Sequence, residues 1–357
     1  MSDVITLLEQ LVATPSVSGN ETAAANLLTT YLTDHNLSVT RMGDNVVCRL
    51  KSSTPGPTFL LNSHLDTVPA KQGWDTDPWT PQIIDGRLVG LGSGDAKASV
   101  CSMARSVVEL AQEGLPCGEL IFAATVLEET GGGGLEEIRS ALGQLDAALV
   151  GEPTSLDAAV AQSGLMIIKA SAHGQTAHAA RSHLGKNALT IAARDLIAIE
   201  SLTLDRVHPH LGTSSANVTV ISGGDRHNVI PDLCEYTIDI RYTPSYTPAD
   251  IFELLDGITE SELRVHSERF LPVETPAQGK LLAALEASSP SSTLFGSPTM
   301  SDWVHLKNTP TIKIGPGQSE RSHTPNESVA IDEVYLAVNL YKGVIQEFMN
   351  SHQGATP

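Results

Sequence analysis

The chain has 357 residues, too many for one small hydrophobic core, so two domains are expected. Hydrophobic residues make up 41% and charged residues 18%, the composition of an ordinary globular protein. With 41 acidic against 22 basic residues the formal net charge is -19, which leaves no basic footprint for nucleic acid or an anionic membrane.

The opening stretch MSDVITLLEQLVATPSVSGNE has no basic segment and carries Asp3 and Glu9 among its apolar residues, so it does not read as a secretory signal. No run approaches the ~18 apolar residues of a membrane span, and the cytoplasm is the expected compartment. The four cysteines, Cys48, Cys101, Cys117 and Cys234, are scattered without a CxxC pair. Neither a disulfide framework nor a thiolate metal site is expected of them.

From Asn20 or Glu21 onward, Ala24, Leu27, Leu28, Tyr31 and Leu32 are spaced for one face of a helix. Apolar runs at 59–61 (FLL), 120–127 (LIFAATVL) and 147–150 (AALV) read as buried strands. Between the first two, Val100, Met103, Ala104, Val107, Val108 and Ala111 form a helical stripe. Helices alternating with near-continuous apolar strands predict an α/β layer with a mostly parallel sheet. From about Gly164 the pattern changes. GLMIIKASAHG, ANVTVISGG and EYTIDIRYT alternate apolar and polar residues, with helices expected near 187–199 and 249–255. This reads as an inserted α+β domain, an antiparallel sheet plus two helices. After about Phe270 the α/β pattern returns, with TIKI at 311–314 and an amphipathic helix near 331–349; the Ser/Pro-rich 288–298 segment reads as a loop. The expected domains are 1–162 and 270–357 for the first and 163–269 for the insertion.

Sites in open α/β sheets form beyond the carboxyl ends of the strands. After FLLNS come His64 and Asp66. After LIFAATVL come Glu128 and Glu129, after AALVG comes Glu152, and after TIKIGPGQSERS comes His323. Asp95 closes GLGSGD at the expected N-cap of the second helix, and taken alone it would be only a cap. Imidazole and carboxylate donors without thiolate suit Zn²⁺ or a similar divalent metal. The donors outnumber the needs of one tetrahedral zinc and fit two metals ~3.5–4 Å apart sharing a carboxylate, with Asp95 the best bridge. Asp66 is placed to hold the His64 ring by its second nitrogen. Glu128 and Glu129 are adjacent and cannot do the same job, so Glu129 is assigned as ligand and Glu128 as general base.

In order and spacing, HLDTVP, GLGSGDAKAS, TVLEETGGGG, VGEPT and SHTPNES resemble the dinuclear zinc amidohydrolases, the family of acetylornithine deacetylase, succinyl-diaminopimelate desuccinylase and related exopeptidases. The resemblance covers essentially the whole chain. It implies two Zn²⁺ per subunit, with Co²⁺ or Mn²⁺ able to substitute. His64, Asp95, Glu129, Glu152 and His323 would be their ligands, Glu128 the general acid/base and Asp66 the orienting residue. It further implies a homodimer formed through the inserted domain, in which His178 of GQTAHAARSHLGKNA crosses to the partner's site and stabilises the oxyanion. Asn228 (RHNVIPD), Arg241 (IDIRY) and Ser301 are the implied substrate-binding residues, a cross-strand ion pair being the other reading of Arg241. At 299–302 the chain reads Thr-Met-Ser-Asp where desuccinylases tend to have Gly-Thr-Ser-Asp. Met300 thus replaces a hydroxyl, which favours a small acyl group. The implied reaction is attack by a metal-bridging water on a small N-acyl amino acid, foremost N2-acetyl-L-ornithine in arginine biosynthesis. N-succinyl-L,L-diaminopimelate, N-succinylornithine and short peptides are the alternatives.

Overall fold

A computed structural model of the chain describes residues 3–131 and 133–352. The chain divides into two units, one of Met1–Val160, Thr275–Phe295 and Ser301–Pro357, the other of Ala161–Glu274 and Gly296–Met300.

In the first unit, strands Val39–Met42, Asn45–Lys51, Glu119–Thr125, Thr58–His64, Ala147–Val150 and Thr311–Lys313 lie side by side in that order, followed by Ala158–Gln162, whose first three residues belong to this unit. The central pairings, from Glu119–Thr125 through Thr58–His64 and Ala147–Val150 to Thr311–Lys313, are parallel. The Val39–Met42 and Asn45–Lys51 hairpin adds antiparallel strands at one edge. Residues 59–64, 120–125 and 147–150 are buried throughout, which is why these strands read as continuous apolar runs rather than alternating ones. Helices Asp3–Val12, Thr22–Asp34, Ala98–Glu113 and Ile331–Asn350 contribute their apolar faces to the same core. Ala98–Glu113 packs on Ile331–Asn350 closely enough for Ser102 and Ser106 to donate to the carbonyls of Val334 and Val338.

Two local expectations are corrected. Asp95 does not cap the following helix. It sits in the tight turn Ser93–Lys97 with extended backbone (φ -117°, ψ 95°), and Lys97 occupies the N-cap position. The segment 288–298 is not all loop, because Leu294–Ser297 is a strand paired with Ala158–Gln162. All four cysteines are free and buried.

In the second unit, strands Ser215–Gly223, Leu233–Tyr242, Gly164–His173 and Glu262–Phe270 form an antiparallel sheet in that order. Leu233–Tyr242 alternates buried with wetter residues. Ile238, Ile240 and Tyr242 join Met166, Ile168 and residues of helices Ala188–Glu200 and Pro248–Asp256 in a separate core. Buried Asp195 closes this core by accepting hydrogen bonds from the Tyr236 hydroxyl, the Glu260 and Ser261 amides and the Ser261 hydroxyl. No helix among the described residues is long and apolar enough to cross a membrane.

Phe59 is fully buried in the first core with its ring edge-on to Phe348, centroids 5.2 Å apart. Phe59→Ala should cost about 3–5 kcal/mol of stability. The shift of the chemical-denaturation midpoint at unchanged slope measures it.

Candidate metal centre

Parallel register sets the height at which each strand releases the chain. His64 pairs with Thr125, and Asn62 with both Ala123 and Val150, so three neighbouring strands end at one edge of the sheet. The residues that follow, Asp66, Glu128, Glu129 and Glu152, are delivered to that edge together. Gly151 permits the last delivery. A side-chain carbon there would lie 2.6 Å from Ser99 Cβ and 2.8 Å from Met103 Cε, so only glycine lets the Glu152 turn approach the Ala98–Glu113 helix.

His64 is buried, and its Nε2 lies 3.2 Å from Asp95 Oδ1 and 3.8 Å from Glu152 Oε1. Its Nδ1 faces the Asp66 backbone oxygen at 3.0 Å and the Asp66 carboxylate at 3.5 Å. The other Asp95 oxygen, Oδ2, lies 3.6 Å from His323 Nε2, and that nitrogen is 2.8 Å from Glu129 Oε1. One ligand atom each from His64, Asp95 and Glu129 falls within 4.8 Å of the others. The structure therefore brings together all the donors expected from the sequence, arranged on the two sides of Asp95.

Asp66 braces the cluster from beneath. Its Oδ1 accepts the Glu128 amide at 3.1 Å; its Oδ2 accepts the Glu129 amide at 3.1 Å and the Ser18 hydroxyl at 2.7 Å. Glu129 is held by His323, whereas the half-buried Glu128 carboxylate has no hydrogen-bond partner among the described residues. Leu127 (φ 59°) and His323 (φ 60°) both adopt the left-handed conformation, unfavourable for residues with a Cβ by about 1–2 kcal/mol each. Such backbone strain concentrates where side-chain direction matters.

The electrostatics are those of a cation site. Removal from water and the neighbouring carboxylates Glu152, Asp302 and Glu129 push the Glu128 proton affinity well up, while His64 opposes. Burial pushes Glu152 up to about 8 against the opposing pull of His64. Burial alone would lower His64, yet hydrogen bonds to Asp66 and Asp95 raise it well above the ordinary imidazole value. Asp66 and Asp95 resist desolvation and are held low by His64. Carboxylates crowded this closely against two imidazoles are costly unless protonated or neutralised, and a divalent cation fits both the charge and the donor types.

Three residues escaped the sequence reading. Asp302 is buried, accepts the Thr125 hydroxyl at 2.7 Å, and is pushed to about 6 by burial. Lys313 is buried at a strand end, its charge acting on Glu152, Glu128 and Asp95. Glu327 is buried and accepts the amides of Gly94 and Asp95. A lysine inside the apolar TIKI run was the available signal for Lys313, as was the Asp following Ser301 for Asp302. Ser301 itself is buried and N-caps the short helix Asp302–Leu306.

The remaining candidates belong to the second unit. His178 is exposed on a two-residue strand paired with Val229–Ile230, and the neighbouring Ala179 amide donates to the Asn228 carbonyl at 2.9 Å. His178 Nδ1 accepts the Ala180 amide, so in the neutral ring Nε2 carries the proton. The Arg241 guanidinium is engaged by Asp239 of its own strand through two contacts, 2.8 and 3.2 Å.

Asp66→Asn would turn one acceptor into an NH₂ group facing an N–H or O–H donor. The substitution should cost about 1–3 kcal/mol, read from urea denaturation of the chelator-treated protein.

Residues 60–347 match peptidase family M20/M25/M40. The chain is 30% identical to a succinyl-diaminopimelate desuccinylase of Rhodospirillum centenum, covering 99% of each chain. It is 28% identical to an acetylornithine deacetylase of Pectobacterium carotovorum, covering 96% of this chain and 97% of that one. In fold it is similar to the aminopeptidase PepT of Bacillus cereus, with a TM-score of 0.81 at 22% identity over 97% of this chain and 98% of the other. The Bacillus subtilis YXEP protein, described as a dinuclear metal binding peptidase, gives a TM-score of 0.75 at 14% identity, covering 97% and 98%. With the match spanning most of its length, the chain belongs to peptidase family M20/M25/M40.

Proposed function

We propose that the protein is a metal-dependent amidase that removes the acyl group from an N-acyl amino acid, with N2-acetyl-L-ornithine its substrate in arginine biosynthesis. One observation carries the chemistry: Asp95 turns its two oxygens toward different imidazoles, with Glu152 on the His64 side and Glu129 on the His323 side. These residues would hold two divalent cations, Zn²⁺ in the first instance: His64 and Glu152 one, Glu129 and His323 the other, with Asp95 serving both.

When bound, the two cations supply Lewis-acid polarisation of the acyl carbonyl and increase the acidity of water. Glu128 takes the proton of the attacking water and returns it to the leaving amine. Its raised proton affinity and its lack of a hydrogen-bond partner among the described residues suit a group that must hold a proton between two steps. Asp66 holds the turn that carries Glu128 and Glu129 by accepting both their amides. His178, with Nε2–H as its free donor, would serve the developing oxyanion of a partner subunit. A homodimer is consistent with the sheet edge Ser215–Gly223, where Val220 and Ile221 are more than half exposed.

Two features favour the acetyl group. Met300 offers no hydroxyl to an acyl carboxylate, and Arg241 is already engaged by Asp239. Relatives of comparable similarity support a second reading, N-succinyl-L,L-diaminopimelate in lysine biosynthesis. The cytoplasm is the compartment proposed for either.

Amine release from N-acetylornithine, N-succinylornithine, N-acetylcitrulline, N-succinyl-diaminopimelate and short peptides tests the substrate. Preference for N-acetylornithine is the expected result, and preference for the succinylated diaminopimelate would move the protein to the second reading. Glu128→Gln should keep full metal content while kcat falls by about 10²–10⁴-fold. Unchanged turnover would remove Glu128 from the mechanism.

A further inference from the structure

The Asp95 turn is held by a residue far away in sequence. Glu327 is 1% exposed, and a single oxygen of its carboxylate, Oε1, accepts both the Gly94 and the Asp95 amides at 2.9 Å. Its backbone carbonyl accepts the Gly90 amide at 3.0 Å. No lysine or arginine forms an ion pair with it among the described residues. A carboxylate buried against backbone amides is an expensive choice for simple packing. What those amides belong to gives the reason.

Asp95 has non-helical backbone angles just ahead of a helix, so neither its amide nor that of Gly94 is committed to a helical hydrogen bond. Two amides converging on one oxygen fix the peptide planes on either side of the Gly94 Cα and thereby set the direction of the Asp95 side chain. Glu327 also follows His323 by four residues and directly precedes strand Ser328–Ala330, which is registered on Arg87–Val89. The same short segment thus supplies His323 and anchors the turn bearing Asp95.

We infer that Glu327 is a positioning residue for the metal centre: by holding the Gly94–Asp95 backbone it aims Asp95 between His64 and His323. The inference rests on the reading of Asp95 as the bridging ligand. It requires an acceptor oxygen of the right reach, not a charge.

Two substitutions separate reach from charge. Glu327→Gln keeps the reach and removes the charge. Glu327→Asp keeps the charge and withdraws the oxygen by about 1.5 Å, one carbon–carbon bond. Each chelator-stripped variant would be titrated with Co²⁺ against a competing chromophoric chelator, with the visible absorption of the bound ion recorded. Residues supporting ligands typically affect metal affinity 10–100-fold. Glu327→Asp should therefore lose about tenfold or more and alter the spectrum, while Glu327→Gln stays within about threefold of the parent with its spectrum intact. Parent-like binding by Glu327→Asp, or a loss in Glu327→Gln as large, overturns the inference. If Glu327→Asp does not fold, Glu327→Gln decides alone: retained affinity supports reach, and lost affinity overturns it. Asp95→Ala is the control on the underlying reading. Should it still bind two equivalents with the parent spectrum, the bridging assignment itself has failed, and the role of Glu327 with it.

Discussion

The centre depends first on Asp66. Its carboxylate has three donors, two of them the amides of adjacent glutamates, while its backbone oxygen faces the His64 ring. One buried residue thereby fixes the imidazole that ends one strand and the paired carboxylates that follow the neighbouring strand. The Glu128 and Glu129 amides are held by different oxygens of this one carboxylate. The Glu129 side chain meets His323, and the Glu128 side chain has no hydrogen-bond partner among the described residues.

Around this hub the chain concentrates acid. Asp95, Glu128, Glu129 and Glu152 sit with Asp302 and Glu327 behind them, against two imidazoles and Lys313. Several of these carboxyls are driven well above their ordinary range by burial and by one another. A protein of net charge -19 has no general excess of cations with which to relieve them. The left-handed backbone at Leu127 and His323 is a further cost in the same place. Strained backbone and unrelieved like charges at the end of a well-packed sheet mark a site selected for binding rather than for stability.

The second unit is built on different physics. Its sheet alternates wet and buried residues, covers one face with two helices, and is closed by the Asp195 network. It carries His178 and Asn228 on adjoining backbone segments, and the hydrogen bond to His178 Nδ1 leaves Nε2–H as the outward donor. Arg241, on the polar face of its strand, satisfies its charge locally with Asp239.

Much of this was legible in the sequence because it rests on local pattern. Continuous apolar runs at 59–61, 120–127 and 147–150 require strands wet on neither face. Alternation through 164–174 and 235–243 requires strands wet on one. His64, Glu128, Glu129, Glu152 and His323 stood out together: taken singly each suits a surface or turn, but the turns after successive apolar runs all carry metal-type donors. The sequence could not determine what those residues face. Asp95 follows a helix-capping pattern, yet its backbone is extended and its side chain turns to His64, a choice made by Glu327 from 232 positions away. The strand at Leu294–Ser297 was hidden in a Ser/Pro-rich segment because its pairing partner, Ala158–Gln162, is remote. Asp302 and Lys313 left only weak local signals, an Asp after Ser301 and a lysine in an apolar run, because their burial at the site is conferred by other strands. Periodicity is a property of neighbours along the chain, whereas charge, burial and hydrogen-bond partners at a site are properties of neighbours in space, and only the folded structure brings those together.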